Sequence, residues 1–177
     1  MPSSEPCLKI GMLLALLTIP AAIVALVLPW WAFREDDFFG ESWKLNIGLW
    51  KWCQKTVDID GDSSTACRRH TSPEGYIVTS RCLLIFALLL HALGLVAVVV
   101  QRWFVQELIL LTVFGPLLLC FAGLLGWVAT VTYADKYVDT PGNQPRDIHA
   151  GWVISLTASG FCFISGLLFA GRQIYEK

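Results

Sequence analysis

Cysteine, histidine and clustered carboxylates are the side chains here with chemistry to offer, and their positions decide what that chemistry can be. Of six cysteines, Cys82, Cys120 and Cys162 lie inside long apolar runs and Cys7 stands at the foot of another. Cys53 and Cys67 are then the only pair in a polar segment, and such a pair forms a stable disulfide in an oxidising compartment. Zinc would need four ligands, and His70 adds only a third. Asp58-Ile59-Asp60-Gly61-Asp62 looks like the opening of a calcium loop, but Ser63 stands where that loop needs glycine and Arg69 where it needs glutamate. No metal and no cofactor is therefore expected. The chain has no G-x-S-x-G, phosphate loop or H-E-x-x-H, and no carboxylate pair within an apolar run, so it is not expected to be an enzyme. Without a concentrated basic surface it is not expected to bind nucleic acid. What remains is charge: Glu35, Asp36, Asp37 and Glu41, with Asp58, Asp60 and Asp62 further on, form a candidate charge-selective or partner-binding surface acting by Coulomb attraction. His91, alone in the middle of an apolar run, reads as a neutral imidazole bonded to a hydroxyl or carbonyl of a neighbouring helix.

The elements that position these residues follow from where charge is missing. The chain of 177 residues carries 13 basic and 14 acidic side chains, yet four runs hold none: 10–33, 82–100, 108–134 and 150–171. A soluble domain spreads its charges, because each of its elements keeps one face in water. A bilayer's hydrocarbon core takes about 20 apolar residues in helix. The four runs therefore predict four transmembrane helices in one domain spanning 1–177, and exclude a water-soluble globular protein. The first run exceeds the length of a signal peptide's apolar region and is read as a retained span. The connections are unequal: 34–81 is long, 101–107 short, and 135–149 carries the turn signals Pro141-Gly142 and Pro145. Basic residues are spread too evenly to orient the chain, so the cysteine pair decides. It places 34–81 and 135–149 outside the cell and both termini in the cytoplasm of a multi-pass plasma-membrane protein.

Within the long loop, Trp43-Lys44-Leu45-Asn46-Ile47 alternates with the period of a half-buried strand. Thr56-Val57-Asp58-Ile59 alternates again and enters Asp60-Gly61, a tight-turn dipeptide. A two-residue turn there would set Cys53 opposite Arg68; a three-residue turn or a bulge would bring it to Cys67, and the sequence leaves the register open. The prediction is a small antiparallel sheet built from the first loop, with a strand or turn from the third, capping a four-helix bundle. In the bundle, small residues recur every fourth position, including Ala122 and Gly126 in the third span and Ala158 and Gly166 in the fourth, a pattern that lets helix backbones approach closely. Cys7, beside the membrane, is a palmitoylation candidate.

Trp30 (or Trp31), then Gly48-Leu49-Trp50, then Cys53 two residues on, then Cys67, resembles the signature of the claudin superfamily. That superfamily takes in claudins, peripheral myelin and epithelial membrane proteins, lens fibre membrane intrinsic protein and the gamma subunits of calcium channels. Arg81, opening the second span, sits where many members carry an arginine. The resemblance implies action in cell–cell contact, adhesion or a paracellular barrier or pore through the first loop. Its alternative is an auxiliary, gamma-like subunit regulating an ion channel or receptor. The partners implied are the lipid bilayer and other membrane proteins, either this protein itself in cis or trans or a channel. The chain ends Gln173-Ile174-Tyr175-Glu176-Lys177 rather than in the Tyr-Val of junctional claudins, so a PDZ scaffold is not an expected partner. Either role needs the staple: Cys53→Ser or Cys67→Ser should cost the loop about 2–5 kcal/mol and impair surface delivery. Normal trafficking, with unchanged mobility on a non-reducing gel, would count against the disulfide.

Overall fold

The computed structural model describes residues 5–38, 41–57, 62–103, 109–139 and 148–175. Four helices, α1 (Glu5–Val27), α2 (Gly75–Trp103), α3 (Ile109–Val138) and α4 (Ala150–Tyr175), are each long and apolar enough to cross a membrane. Their outward faces, with residues such as Leu13, Phe86, Leu89 and Leu93, stay more than half exposed in the isolated chain, as lipid-facing positions must be. The chain is a multi-pass membrane protein. α2 packs on α3, α3 on α4 and α4 on α1, while α1 and α2 touch far less.

Between α1 and α2 the chain forms four strands: β1 (Ala32–Phe38), β2 (Glu41–Ile47), β3 (Lys51–Val57) and β4 (Ser63–Arg69). They pair antiparallel in sequence order. The tetraspan bundle with a small sheet is thus the architecture the charge-free runs and the strand alternation predict. Cys53 lies directly opposite Cys67 in the β3–β4 register and is bonded to it. Since Val57 faces Ser63, the turn between these strands has an odd number of residues, which is the correction that a two-residue turn would have lacked. From the third loop, Ile148 makes an isolated antiparallel bridge to Ala32, at the start of β1.

Helix ends depart from the apolar runs, each for a local reason. The first run continues to Phe33, but α1 stops at Val27 because Pro29 has no N–H to offer the helix. β1 then takes up Ala32 and Phe33 together with the charged Arg34, Glu35, Asp36 and Asp37. α2 begins at Gly75, seven residues before its apolar run, because Ile77 is buried and the Ser80 hydroxyl donates to Ala129 O at 3.1 Å. α3 runs on to Val138, past the end of its run at Ala134, because Tyr137 is fully buried.

Two cores result. One lies between the helices around Ala15, Leu95, Leu119, Ala122, Cys162 and Phe169. The other, at the sheet end, gathers Trp31, Ala32, Leu49, Ile77, Tyr133 and Tyr137. Glycine sets the spacing of the helices: a Cβ on Gly123 would lie 2.7 Å from both Phe163 N and Ser159 O of α4. Backbone atoms cannot move aside singly, so Gly123→Ala must push α3 from α4. We expect a loss of about 1–3 kcal/mol, read as a lower thermal midpoint in detergent. Gly75→Ala, where a Cβ would meet nothing within 4 Å, should leave that midpoint unchanged.

Candidate functional site

Among the described residues, the only large feature outside the membrane-spanning helices is the sheet, and two clusters of residues fix it to the bundle. The first is the turn between β2 and β3. Gly48 N donates to Lys51 O at 2.9 Å to close it, which leaves the carbonyls of Gly48, Leu49 and Trp50 facing away from the hairpin. Each finds a donor from elsewhere in the chain. His70 Nε2–H serves Gly48 O at 3.0 Å, and His70 N serves Trp50 O at 3.3 Å. The Arg81 guanidinium, six residues into α2, serves Leu49 O through Nε at 2.7 Å and through Nη2 as well. The same guanidinium lies 4.8 Å from the centroid of the Trp50 ring, a cation–π contact that shields it on one side. The three turn residues have separate tasks. Gly48 is pressed on α1's exit, where a Cβ would come within 2.7 Å of Leu28 O, Leu49 fills the second core, and Trp50 is the platform for Arg81.

The second cluster is Trp30-Trp31, between α1 and β1. Helical pairing would give Ala25 O the N–H of residue 29, but residue 29 is proline. Trp31 Nε1–H fills the vacancy, donating to Ala25 O at 2.6 Å. Trp31 N donates to Ile47 O at 2.9 Å, joining the segment to β2. The carbonyls serve α4, whose first N–H groups lack partners within the helix: Gly151 N donates to Trp30 O at 2.7 Å and His149 N to Trp31 O at 2.9 Å. Of the two tryptophans, Trp31 is fully buried, edge-on to Tyr133 at 4.9 Å between centroids, whereas Trp30 is 46% exposed. The Trp31 ring is thus the one the packing uses, while Trp30 contributes its carbonyl.

Fixed in this way, the sheet has two unlike faces, because side chains alternate along each strand. The outer face carries Glu35, Lys44, Lys51, Lys55 and Arg69 with the disulfide. Glu35 lies directly opposite Lys44 and is ion-paired to it at 2.6 Å. Both side chains are 42% exposed, so the pair contributes on the order of 0–1 kcal/mol. Among the charges described on this face, the basic ones outnumber the acidic. Asp36, Asp37 and Glu41 lie in the β1–β2 ladder opposite Trp43, Ser42 and Phe38. Asp62 is exposed at the entry to β4, and Asp58 and Asp60 fall outside the described residues. The inner face turns Trp43, Leu45, Ile47 and Trp52 toward the ends of α2 and α3 and borders an open hollow of about 540 Å³. The alternation at Trp43, Leu45 and Ile47 was the sequence signal for this face. The participation of His70, Trp52, Tyr76 and Tyr137 had no comparable signal.

Within the bundle, Gly126 and Gly166 occupy the crossing of α3 and α4, where Cβ atoms would strike Ser159 Oγ and Cys120 Sγ respectively, and Ala122 and Ala158 are buried nearby. These four residues face neighbouring helices of the same chain. His91 is buried, its Nε2–H donating to Ala15 O at 3.1 Å with Thr18 Oγ1 at 3.3 Å, so α2 holds α1 through a polar contact where apolar packing is thin. Cys7 is exposed on the first turn of α1.

The clasp at Arg81 combines planar geometry with charge, which lysine cannot reproduce. Arg81→Lys should lose one of the two bonds to Leu49 O and the stacking on Trp50, at a cost of about 1.5–3 kcal/mol. The expected readout is faster proteolysis of residues 34–74 with the disulfide still formed. Unchanged protection would remove the clasp from the account. No protein-family model and no curated protein matches this chain, which leaves the geometry above as the basis for assigning a role.

Proposed function

We propose that this protein is a claudin-like plasma-membrane protein that acts in cell–cell contact, adhesion or a paracellular barrier or pore, using the outer face of its sheet as the contact surface. The observation that carries this reading is the fixing of the sheet. A four-residue turn offers three outward carbonyls, all taken by His70 and Arg81, and the strands behind it are stapled through Cys53 and Cys67. A surface held this firmly arrives at a partner already ordered, so binding does not have to bear the cost of arranging it. The residues of the Gly48-Leu49-Trp50, Cys53, Cys67 and Arg81 pattern all serve that one purpose, which supports the resemblance carried by the sequence.

The disulfide also supports the orientation, since it requires the oxidising side of the membrane. With four spans, both termini are then cytoplasmic and the sheet stands outside the cell. The basic side chains described on the outer face, Lys51, Lys55 and Arg69 among them, suit an acidic counter-surface on a neighbouring copy or another membrane protein. An auxiliary role beside an ion channel or receptor would use the same face toward a partner in the same membrane.

The two roles separate in cells that lack junctional strands. When the full chain is expressed in both of two touching cells, it should concentrate at their shared border, and less so where only one cell expresses it. Lys51→Glu with Lys55→Glu, both exposed on the outer face, should reduce that concentration by half or more without changing surface delivery. Uniform surface distribution, together with a channel or receptor subunit recovered in equal amount after purification in mild detergent, would replace contact with the auxiliary role.

A further inference from the structure

The hollow under the sheet has no part in the contact surface proposed above. Its volume, about 540 Å³, lies within the usual range for small-molecule sites. Its floor lies just beyond the apolar runs: Tyr76 stands six residues before the run of α2, and Tyr137 three residues after that of α3. Its roof is the sheet's inner face, with Trp43 and Trp52. Tryptophan and tyrosine prefer the depth of lipid headgroups, where a ring is partly apolar and partly wet. Across the hollow the charges are opposite, with Arg34 on the sheet and Glu74 just before α2.

We propose that the hollow binds the headgroup of a zwitterionic phospholipid, of the phosphocholine type, from the membrane leaflet at the sheet's end. A quaternary ammonium sheds its water readily and is attracted to aromatic faces, which Trp43, Trp52 and Tyr76 supply, with the Glu74 carboxylate for its charge. The phosphate falls to Arg34, whose five donors can serve an anion alongside the contact the residue already makes. One wall of each sign favours an occupant carrying both charges over an anionic lipid, and the hollow's position beside the bilayer makes a lipid the source rather than a soluble headgroup.

The full chain, purified in a maltoside detergent, is titrated with dihexanoyl phosphatidylcholine below its micelle concentration, following tryptophan fluorescence. Saturable binding is expected, roughly tenfold weaker for dihexanoyl phosphatidylglycerol and for free phosphocholine. Trp43→Ala and Glu74→Gln should each weaken it by roughly five- to tenfold, while Leu89→Ala, on the lipid-facing side of α2, should not change it. Glu74 is exposed, so its variant decides the matter if Trp43→Ala fails to fold. Equal binding of the anionic lipid would overturn the zwitterion assignment, and equal binding of free phosphocholine would overturn the lipid source. No saturable binding, or binding that Glu74→Gln leaves intact, would overturn the site itself.

Discussion

A backbone polar group near a bilayer must be met by another part of the protein, because lipid offers no hydrogen bonds. Most of the sheet end of this molecule can be understood as a response to that requirement. Pro29 ends α1 and leaves Ala25 O without its helical donor; the indole of Trp31 supplies one. Leaving the helix exposes the carbonyls of Trp30 and Trp31, and these meet the unpaired N–H groups at the start of α4. The β2–β3 turn repeats the pattern, its outward carbonyls taken by His70 and by Arg81. Each of these two breaks in regular structure is thus closed by groups from other parts of the chain, and the closures hold the sheet to the bundle. Apolar packing of Trp31, Leu49 and Tyr133 then fills the space that these bonds define.

The bundle interior follows the same rule at smaller scale. Trp152 Nε1 donates to Thr130 O at 2.8 Å, Ser165 Oγ to Gly11 O at 2.8 Å, and Thr130 and Ser155 share a hydroxyl contact at 3.0 Å. Hydrophobicity cannot hold helices together in lipid, so small residues bring the backbones close and such bonds add direction. His91 belongs to this set. Its bond to Ala15 O ties together α1 and α2, which pack on each other far less than α2 on α3, α3 on α4 or α4 on α1.

Much of the fold could be read from the sequence, and the parts that could not share a cause. Membrane spans announce themselves because lipid excludes charge over a whole helix length, so 82–100 and 150–171 lie wholly within observed helices. β2 was legible because Trp43, Leu45 and Ile47 share one face. β1 was not, because its sequence Ala32-Phe33-Arg34-Glu35-Asp36-Asp37-Phe38 has no apolar alternation. Two adjacent tryptophans cannot be told apart by composition; only the carbonyl left by Pro29 gives the buried place to Trp31. The turn between Cys53 and Cys67 shows a further limit, since a register differing by one residue depends on turn geometry more than on residue type. The hollow draws on the sheet, the segment before α2 and the end of α3, and no local pattern could signal a space that three distant segments create.

The contact between Trp30-Trp31 and the start of α4 also bears on how the molecule is made. The residues it joins stand about 120 positions apart, so a chain emerging from the ribosome exposes the end of α1 long before Gly151 exists to cover it. The sheet can form early, since β1 to β4 are contiguous and paired in order. The seat on which it rests is complete only when the last helix has entered the membrane. Assembly of this protein therefore closes on its last helix: until the start of α4 arrives, the carbonyls of Trp30 and Trp31 lack the donors they have in the finished fold.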